Sequence, residues 1–300
     1  MTEPSASTPK PVDPQHDDGF LHVPGVVPEP VPASTVAVIR DTPQGIETWM
    51  MRRVSQMAFA PGAAVFPGGS VDERDADISV PWAGSDPETF AARFGTDPRT
   101  ARELVTAALR ELFEETGVLL ADPLPDVDLE AARVAVESRE LPLAQLLADH
   151  GSVLQAGALH PWARWVTPPM ETRRYDTWFF VATLPEGVEA FAVSSEADLA
   201  GWVNAQETLD ANARGENRLL PPTIAVLRGL IEGGTVAGVI ADAPNRSLVP
   251  VHPQVRRGAD GKNVVTAAGT TFAAQVSPTG LTPTPENPET GAEAPTNPKV

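Results

Sequence analysis

Apolar positions first gather in Thr35-Val36-Ala37-Val38-Ile39-Arg40, a near-continuous run of the kind seen in a strand buried on both faces. Turn residues Asp41-Thr42-Pro43-Gln44-Gly45 follow, and Ile46 to Val54 returns as a second strand, so a hairpin is predicted to open the folded part. Gly62 to Gly69 reads as a strand running into a tight loop, and residues 72–97, acidic and turn-rich, as an inserted surface loop. The period then changes. Asp97-Pro98 has the form of an N-cap with proline at the first helical position, helical spacing runs through Leu104, Ala108 and Leu112, and Gly117 stops it. One or two short helices are expected within 128–150, strands at Trp162 to Thr167 and Asp176 to Thr183, and helices near 205–213 and from Thr223 to Ile231. Strands and helices alternate without a regular βαβ rhythm. That predicts an α/β chain with a mixed sheet between helices, not a doubly wound parallel one.

Composition sets the expected boundaries. Of 32 prolines, eight fall in residues 1–33 and six in 277–300, and both ends lack apolar patterning. Residues 1–33 are therefore expected to be a disordered Pro-rich extension and 277–300 a disordered tail. Residues 34–245 are the expected folded domain, with 246–276 as a partly ordered C-terminal extension where the periodicity weakens.

Charge and residue usage exclude several chemistries. With no cysteine there is no disulfide framework, thiolate nucleophile or Cys-ligated metal site. A net charge of −18 argues against capture of a nucleic-acid backbone or an anionic membrane. No apolar run approaches the roughly 20 residues that cross a bilayer, and the acidic N-terminus lacks a signal peptide's basic and apolar regions, so the expectation is a soluble, cytoplasmic protein. Lysine occurs only at Lys10, Lys262 and Lys299, which disfavours Schiff-base and P-loop chemistry. The five histidines (16, 22, 150, 160 and 252) show no ligand spacing.

The informative stretch is Arg110-Glu111-Leu112-Phe113-Glu114-Glu115-Thr116-Gly117-Val118. At the helical twist, Glu111, Glu114 and Glu115 share one sector of roughly 100°, beside the apolar face of Leu104, Ala108 and Leu112. Like charges at these spacings repel. A hard divalent cation removes that objection, since it takes carboxylate, water and phosphate oxygens; the bland alternative is a solvated acidic face. Arg110, four residues before Glu114, is placed to pair with a carboxylate.

Arg110 to Val118 matches every fixed position of the second half of the Nudix box, G-x5-E-x7-R-E-U-x-E-E-x-G-U, with U aliphatic. Gly69-x5-Asp75 resembles its opening, with Asp in place of Glu, but 34 residues separate Asp75 from Arg110 where the pattern has x7. Asp75 thus reads either as the acid of that opening or as a solvated loop acid. This interruption, with Phe59-Ala60-Pro61-Gly62-Ala63-Ala64-Val65-Phe66-Pro67-Gly68-Gly69, resembles the split-box coenzyme A diphosphatase branch of the Nudix hydrolases. The related recognition pattern R-[SA]-x3-R-x3-G-x3-F-P-G-G aligns Arg53 and Gly62 but meets Val54 and Ala58 at two fixed positions.

The resemblance implies a Nudix α/β/α sandwich with a mixed sheet, an inserted loop and extra helices. It implies Mg²⁺ or Mn²⁺ held by Glu111, Glu114, Glu115 and the Gly69 carbonyl, with Arg110 positioning and Glu114 or the loop acid Glu196 taking a proton from water. Arg53, Phe66, Arg173 and Arg174 are the candidate substrate contacts. The implied partner is a small-molecule diphosphate: CoA or acyl-CoA, or alternatively ADP-ribose, NADH or a dinucleoside polyphosphate. A Nudix-fold binding module without catalysis is the non-enzymatic alternative, and an intact glutamate trio speaks against it. The chain ends Pro298-Lys299-Val300, not in a small-basic-leucine tripeptide, so the peroxisomal compartment of that branch is not expected here.

Overall fold

The computed structural model describes residues 27–53, 62–171, 173–185, 187–191, 197–257, 263–267, 270–277 and 280–283. The elements in chain order are β1 (Val31–Thr42), β2 (Gly45–Arg53), β3 (Ala63–Val65), β4 (Gly68–Ser70), β5 (Trp82–Ala83), α1 (Pro87–Phe94), α2 (Pro98–Thr116), β6 (Ala121–Asp122), α3 (Leu129–Glu137), α4 (Leu143–Asp149) and β7 (Val153–Gln155). They continue with β8 (His160–Val166), β9 (Tyr175–Thr183), β10 (Ala197–Asn204), α5 (Ala205–Ala213), β11 (Arg218–Leu219), α6 (Pro221–Gly233), α7 (Val236–Asp242), β12 (Gln254–Arg257), β13 (Asn263–Ala267), β14 (Thr270–Ser277) and β15 (Gly280–Pro283).

The central sheet is mixed, as the lack of βαβ rhythm predicts. Its path is β11-β3-β2-β1-β9-β8, with β10 joined to β2 and β4 to β1. Strand β1 organises it. One edge pairs in parallel with β9 from Val31 to Ile39. The other edge is shared, β4 taking Ala33–Thr35 and β2 taking Ile39–Thr42, both antiparallel. Between them Val36 N–H donates to Pro67 O at 2.8 Å. The sheet thus opens into a wedge whose two arms are β3 and β4, and the Phe66-Pro67 corner is its apex.

Side chains alternate along β1 with the period of a strand. Val36 and Val38 face α2 and pack with Leu104, Ala108 and Leu112, whereas Ala37 and Ile39 face α6 and pack with Ile224 and Leu227. Helices cover both faces, giving an α/β/α sandwich. Two smaller sheets flank it: β5-β7-β6 beside α3 and α4, and the antiparallel meander β12-β13-β14-β15, whose Val255, Val265 and Ala267 join the α6-side core. Among the described residues no single helix is long and apolar enough to cross a membrane. The α6–α7 pair reaches that length and composition only across a 110° bend.

Three expectations are corrected. Residues 72–97 are more than a surface loop, because they fold into a 3-10 turn, β5 and α1, and they bury Val80, Phe90, Ala91 and Phe94. The α1 ring Phe94 lies 4.4 Å from Trp178 and 6.0 Å from Phe180, centroid to centroid, so the insertion completes the core over β9. Two of the acidic residues that suggested a loop are helix caps, Asp86 of α1 accepting from Thr89 N–H and Asp97 of α2 from Thr100 N–H. Next, β1 begins at Val31, before the expected boundary at 34, because its N–H bonds Arg174 O. Finally, β15 lies inside the stretch expected to be a tail from 277, paired to β14 through Gln275↔Thr282 and Val276↔Leu281.

Phe94→Ala tests the insertion's part in the core. Removing a buried ring is expected to cost about 3–5 kcal/mol, read by urea denaturation. A change within about 0.5 kcal/mol, the usual size for a surface site, would return residues 72–97 to the status of a surface loop.

Candidate active site

Helix α2 carries the acids to the open end of the wedge. Asp97 caps its start, and Gly117 ends it at φ 72° with its N–H on Phe113 O, a left-handed conformation natural to glycine. Ser34 Oγ donates to Leu104 O at 2.7 Å and ties the helix to β1. The α2 axis therefore crosses the sheet from the β9 side, where α1 packs, towards β4, where Glu115 meets Gly68.

Arg110 stands at the centre of the site with only 4% of its side chain exposed. Its Nε and Nη2 donate to the two oxygens of Asp75 at 2.8 and 3.0 Å, a bidentate pair. Nη1 donates to Glu111 at 2.7 Å and to Glu114 at 2.9 Å, and Nη2 also reaches Ser70 O at 3.0 Å. Against the cost of burial, the Asp75 hydrogen bonds and the charges of Glu111, Asp75 and Glu114 hold the guanidinium protonated. Asp75 is 1% exposed, which excludes the solvated-acid reading. Its Oδ2 also accepts from Asp72 N–H at 2.7 Å, so the turn that delivers it is closed by its own carboxylate. The 34 intervening residues leave the two halves of the motif in contact.

The three glutamates are distinct. Glu115 Oε2 accepts from Gly68 N–H at 2.7 Å, fastening α2 to β4. Glu111 lies against Gly69, where an added Cβ would come within 2.6 Å of its carboxylate and push it aside. Glu114 Oε1 is buried without a hydrogen-bond partner, 3.7 Å from Arg74 Nη2. Burial, reinforced by Glu111, outweighs the attraction of Arg110 and Arg74 and raises the Glu114 carboxyl to about 7.

Among the described residues no three acidic or histidine side chains converge as a ready ligand cage, because Glu111 and Glu114 turn to Arg110 and Glu115 to Gly68. The donor chemistry nonetheless fits a hard divalent cation. Three carboxylates share one helix end, one buried oxygen lacks a hydrogen-bond donor, and a glycine backbone lies against Glu111.

The remaining sequence candidates are placed unevenly. Arg53 ends β2, and its carbonyl accepts from Gly62 N–H at 3.1 Å. Phe66, proposed to touch substrate, is instead a packing residue, 3% exposed within the α6-side core. Its apolar ring has no reason to leave that core at the wedge apex. Arg174 is likewise structural, donating to Thr167 O and Pro28 O, while Arg173 beside it is exposed. Glu196 lies outside the described residues, as do Phe59 to Pro61, Val54 and Ala58.

Sequence reading overlooked Arg74, Arg133 and Phe191. Arg133 donates to Glu114 O at 2.8 Å while pairing Glu130 and Glu137, and so holds α3 on the last turn of α2. Its i−3 and i+4 glutamates were a readable signal. Phe191 was not readable: its ring occupies the space beside Gly117, where a Cβ would come within 2.4 Å, and its N–H bonds Thr116 O.

A mixed sheet between helices, with this box at a helix end, is similar to the arrangement of Nudix domains. Residues 101–230 match the family model described as the NUDT19 Nudix domain, so the match begins inside α2 and leaves out β1 to β4. The chain is similar to the human protein named acyl-coenzyme A diphosphatase NUDT19, with 29% identity over 62% of this chain and 61% of that one. The Gallus gallus protein of the same name is 28% identical over 60% of each. The chain thus spans about three fifths of these curated relatives. A crystal structure of a Nudix hydrolase from Alicyclobacillus acidocaldarius aligns with a TM-score of 0.62 and 28% identity, covering 75% of this chain and all of that one.

Two variants separate the roles of Arg110 and Glu114 without an activity assay. Arg110→Ala strands buried Asp75 and is expected to cost about 3–5 kcal/mol, as breaking a buried ion pair does. Glu114→Gln removes a carboxyl whose folded pKa lies above its unfolded value. Its contribution to wild-type stability is therefore fully present below the unfolded value and is lost as pH rises through about 7. In EDTA the melting temperature of Glu114→Gln is expected to gain on wild type between pH 5 and 8. A parallel pair of pH curves would contradict the buried, reluctantly charged Glu114.

Proposed function

We propose that this chain is a divalent-metal-dependent diphosphatase that cleaves CoA or acyl-CoA to 3′,5′-ADP and 4′-(acyl)phosphopantetheine. The observation that carries the reaction class is the glutamate trio at the α2 end, with Glu115 fastened to Gly68, Glu111 against Gly69, and Glu114 Oε1 without a hydrogen-bond donor. Support for the substrate comes from the relatives named acyl-coenzyme A diphosphatase and from the Gly62–Gly69 part of the branch-like run.

Bound Mg²⁺ or Mn²⁺ would supply charge neutralisation at phosphorus and a lowered pKa for water. Glu111, Glu114, Glu115 and the Gly69 carbonyl are the groups that would hold it. The chain's own part is positional. Arg110 fixes Glu111 and Glu114 by hydrogen bonds from one nitrogen, and Asp75 fixes Arg110. Water adds to one phosphorus, the anhydride P–O bond breaks, and two phosphomonoesters leave. Glu114 takes the water's proton, with Glu196 as the second candidate base. Val54 and Ala58, which depart from the CoA-recognition pattern, keep ADP-ribose, NADH and dinucleoside polyphosphates in the test panel.

Incubation with CoA, acetyl-CoA, NADH, ADP-ribose and a dinucleoside polyphosphate at equal concentration, with products identified by mass spectrometry, decides the reading. The expected outcome is the highest kcat/KM for a coenzyme A species. A tenfold advantage for any other substrate overturns the CoA assignment, and no turnover with Mg²⁺ or Mn²⁺ overturns the enzyme. Glu115→Gln is expected to lower kcat by about 10²–10³, the cost of one strong electrostatic contributor. Near-wild-type turnover by that variant would remove α2 from the chemistry.

A further inference from the structure

Strand register brings a second cationic position to the wedge that neither the box nor the recognition pattern contains. On β11, Arg218 stands opposite Ala63 of β3, and the next pair is Leu219 opposite Ala64. Across β3, Ala64 stands opposite Arg52 and Val65 opposite Met51. One step further out puts Arg53 beside Ala63, where the Gly62 N–H to Arg53 O bond continues the pairing. Arg53 and Arg218 therefore flank one alanine from the two neighbouring strands.

Burial fixes which face they share. Leu219 and Ala64 pack into the α6-side core, and Met51 packs into the α2-side core. Directly opposed residues point the same way and successive ones alternate. Arg53, Ala63 and Arg218 thus lie on the α2 side, as do Met51 and Val65. Three residues beyond Val65 the same chain segment delivers Gly68 N–H to Glu115. From Ala63 to Gly68 is five residues, at most about 18 Å even if fully extended.

Arg53 and Arg218 are both half-buried and stand on one row of the α2 face. They sit beside an acid-rich centre in a chain of net charge −18. Glu171 is the described acid whose charge acts on Arg218, and exposed Arg173 lies two residues further along the same loop. Both guanidiniums have partners within the chain, so an incoming anion competes with contacts already made.

The geometry points to Arg53 and Arg218 as a subsite for a phosphomonoester on the substrate, separate from the diphosphate that is cut. Arg218 is then a specificity-determining residue: it sets which nucleotides bind well and takes no part in bond breaking. The inference rests on the diphosphatase reading for its position beside α2, but its test does not need turnover.

Calorimetric titration of the full chain with 3′,5′-ADP and with AMP measures the worth of the extra phosphate. Wild type is expected to bind 3′,5′-ADP at least about tenfold more tightly, as a charge-assisted phosphate contact allows. Arg218→Gln should bring the two within about twofold, and Arg218→Lys should keep part of the difference. Arg214→Gln, at an exposed pair with Glu216, controls for loss of one positive charge and should change nothing. A wild type without preference, including one that binds neither nucleotide, overturns the subsite, as does a preference that survives Arg218→Gln. Should Arg218→Gln fail to fold, Arg218→Lys decides alone, since full retention of the preference at a non-bidentate cation contradicts the assignment. Kinetics with CoA and 3′-dephospho-CoA then separate the two readings. No turnover of either defeats the diphosphatase but leaves the titration standing. With turnover, Arg218→Gln should raise KM for CoA alone, with kcat kept.

Discussion

The buried guanidinium of Arg110 is the interaction on which the site depends. Charges of that kind are expensive to remove from water, and this one is tolerated because nearly every donor it owns is matched by an oxygen. The matching runs both ways. Asp75 is acceptable at 1% exposure only because Arg110 faces it, and Glu111 and Glu114 stand side by side only because one nitrogen lies between them. The arrangement leaves the far oxygen of Glu114 without a donor. A cluster that stability alone would disperse is thereby held together and presented at a helix end.

That dependence explains why a long insertion does not break the motif. Spacing in the chain matters less than whether Asp75 returns to Arg110, and the insertion has its own reasons to return. Its 3-10 turn is closed by Asp72 and Asp75, and its helix α1 lays Phe94 on Trp178. Arg93 then binds the carbonyls of Ala243 and Arg246, far along the chain. Arg246 in turn stacks on Trp162 and pairs with Asp242. The insertion is wedged between the sheet and the C-terminal part of the sandwich.

The sequence was legible where local rules and burial agree. Helix α2 has a cap, a proline, an apolar face and a terminal glycine, and β1, β2, β8 and β9 carry period-two or continuous apolar runs; these were placed to within a few residues, whereas β10 and β11 were not expected. The glutamate trio was legible because its repulsion has no local excuse. Helix α1 was hidden because its capping acids look like loop composition. Phe66 was misjudged because a motif says which residues recur, not which way a ring points. The β12–β15 meander escaped because its described core side chains, Val255, Val265 and Ala267, are small or β-branched and do not make a long apolar run. Phe191 at Gly117 joins two distant loops, and nothing local announces it.

The parallel pairing of β1 with β9 has a consequence for biosynthesis. Strand β1 leaves the ribosome long before the neighbour that covers one whole edge, which lies near residue 180. At about 5–20 residues per second, on the order of ten to thirty seconds pass before that edge can close. This largely apolar strand must wait with the hydrogen-bonding groups of that edge exposed, and the hairpin to β2 pairs only the far end of its other edge. Helix α2 is synthesised within this interval, so its apolar face can cover Val36 and Val38 before β9 arrives. The helix that carries the acids thereby also shields the nascent sheet.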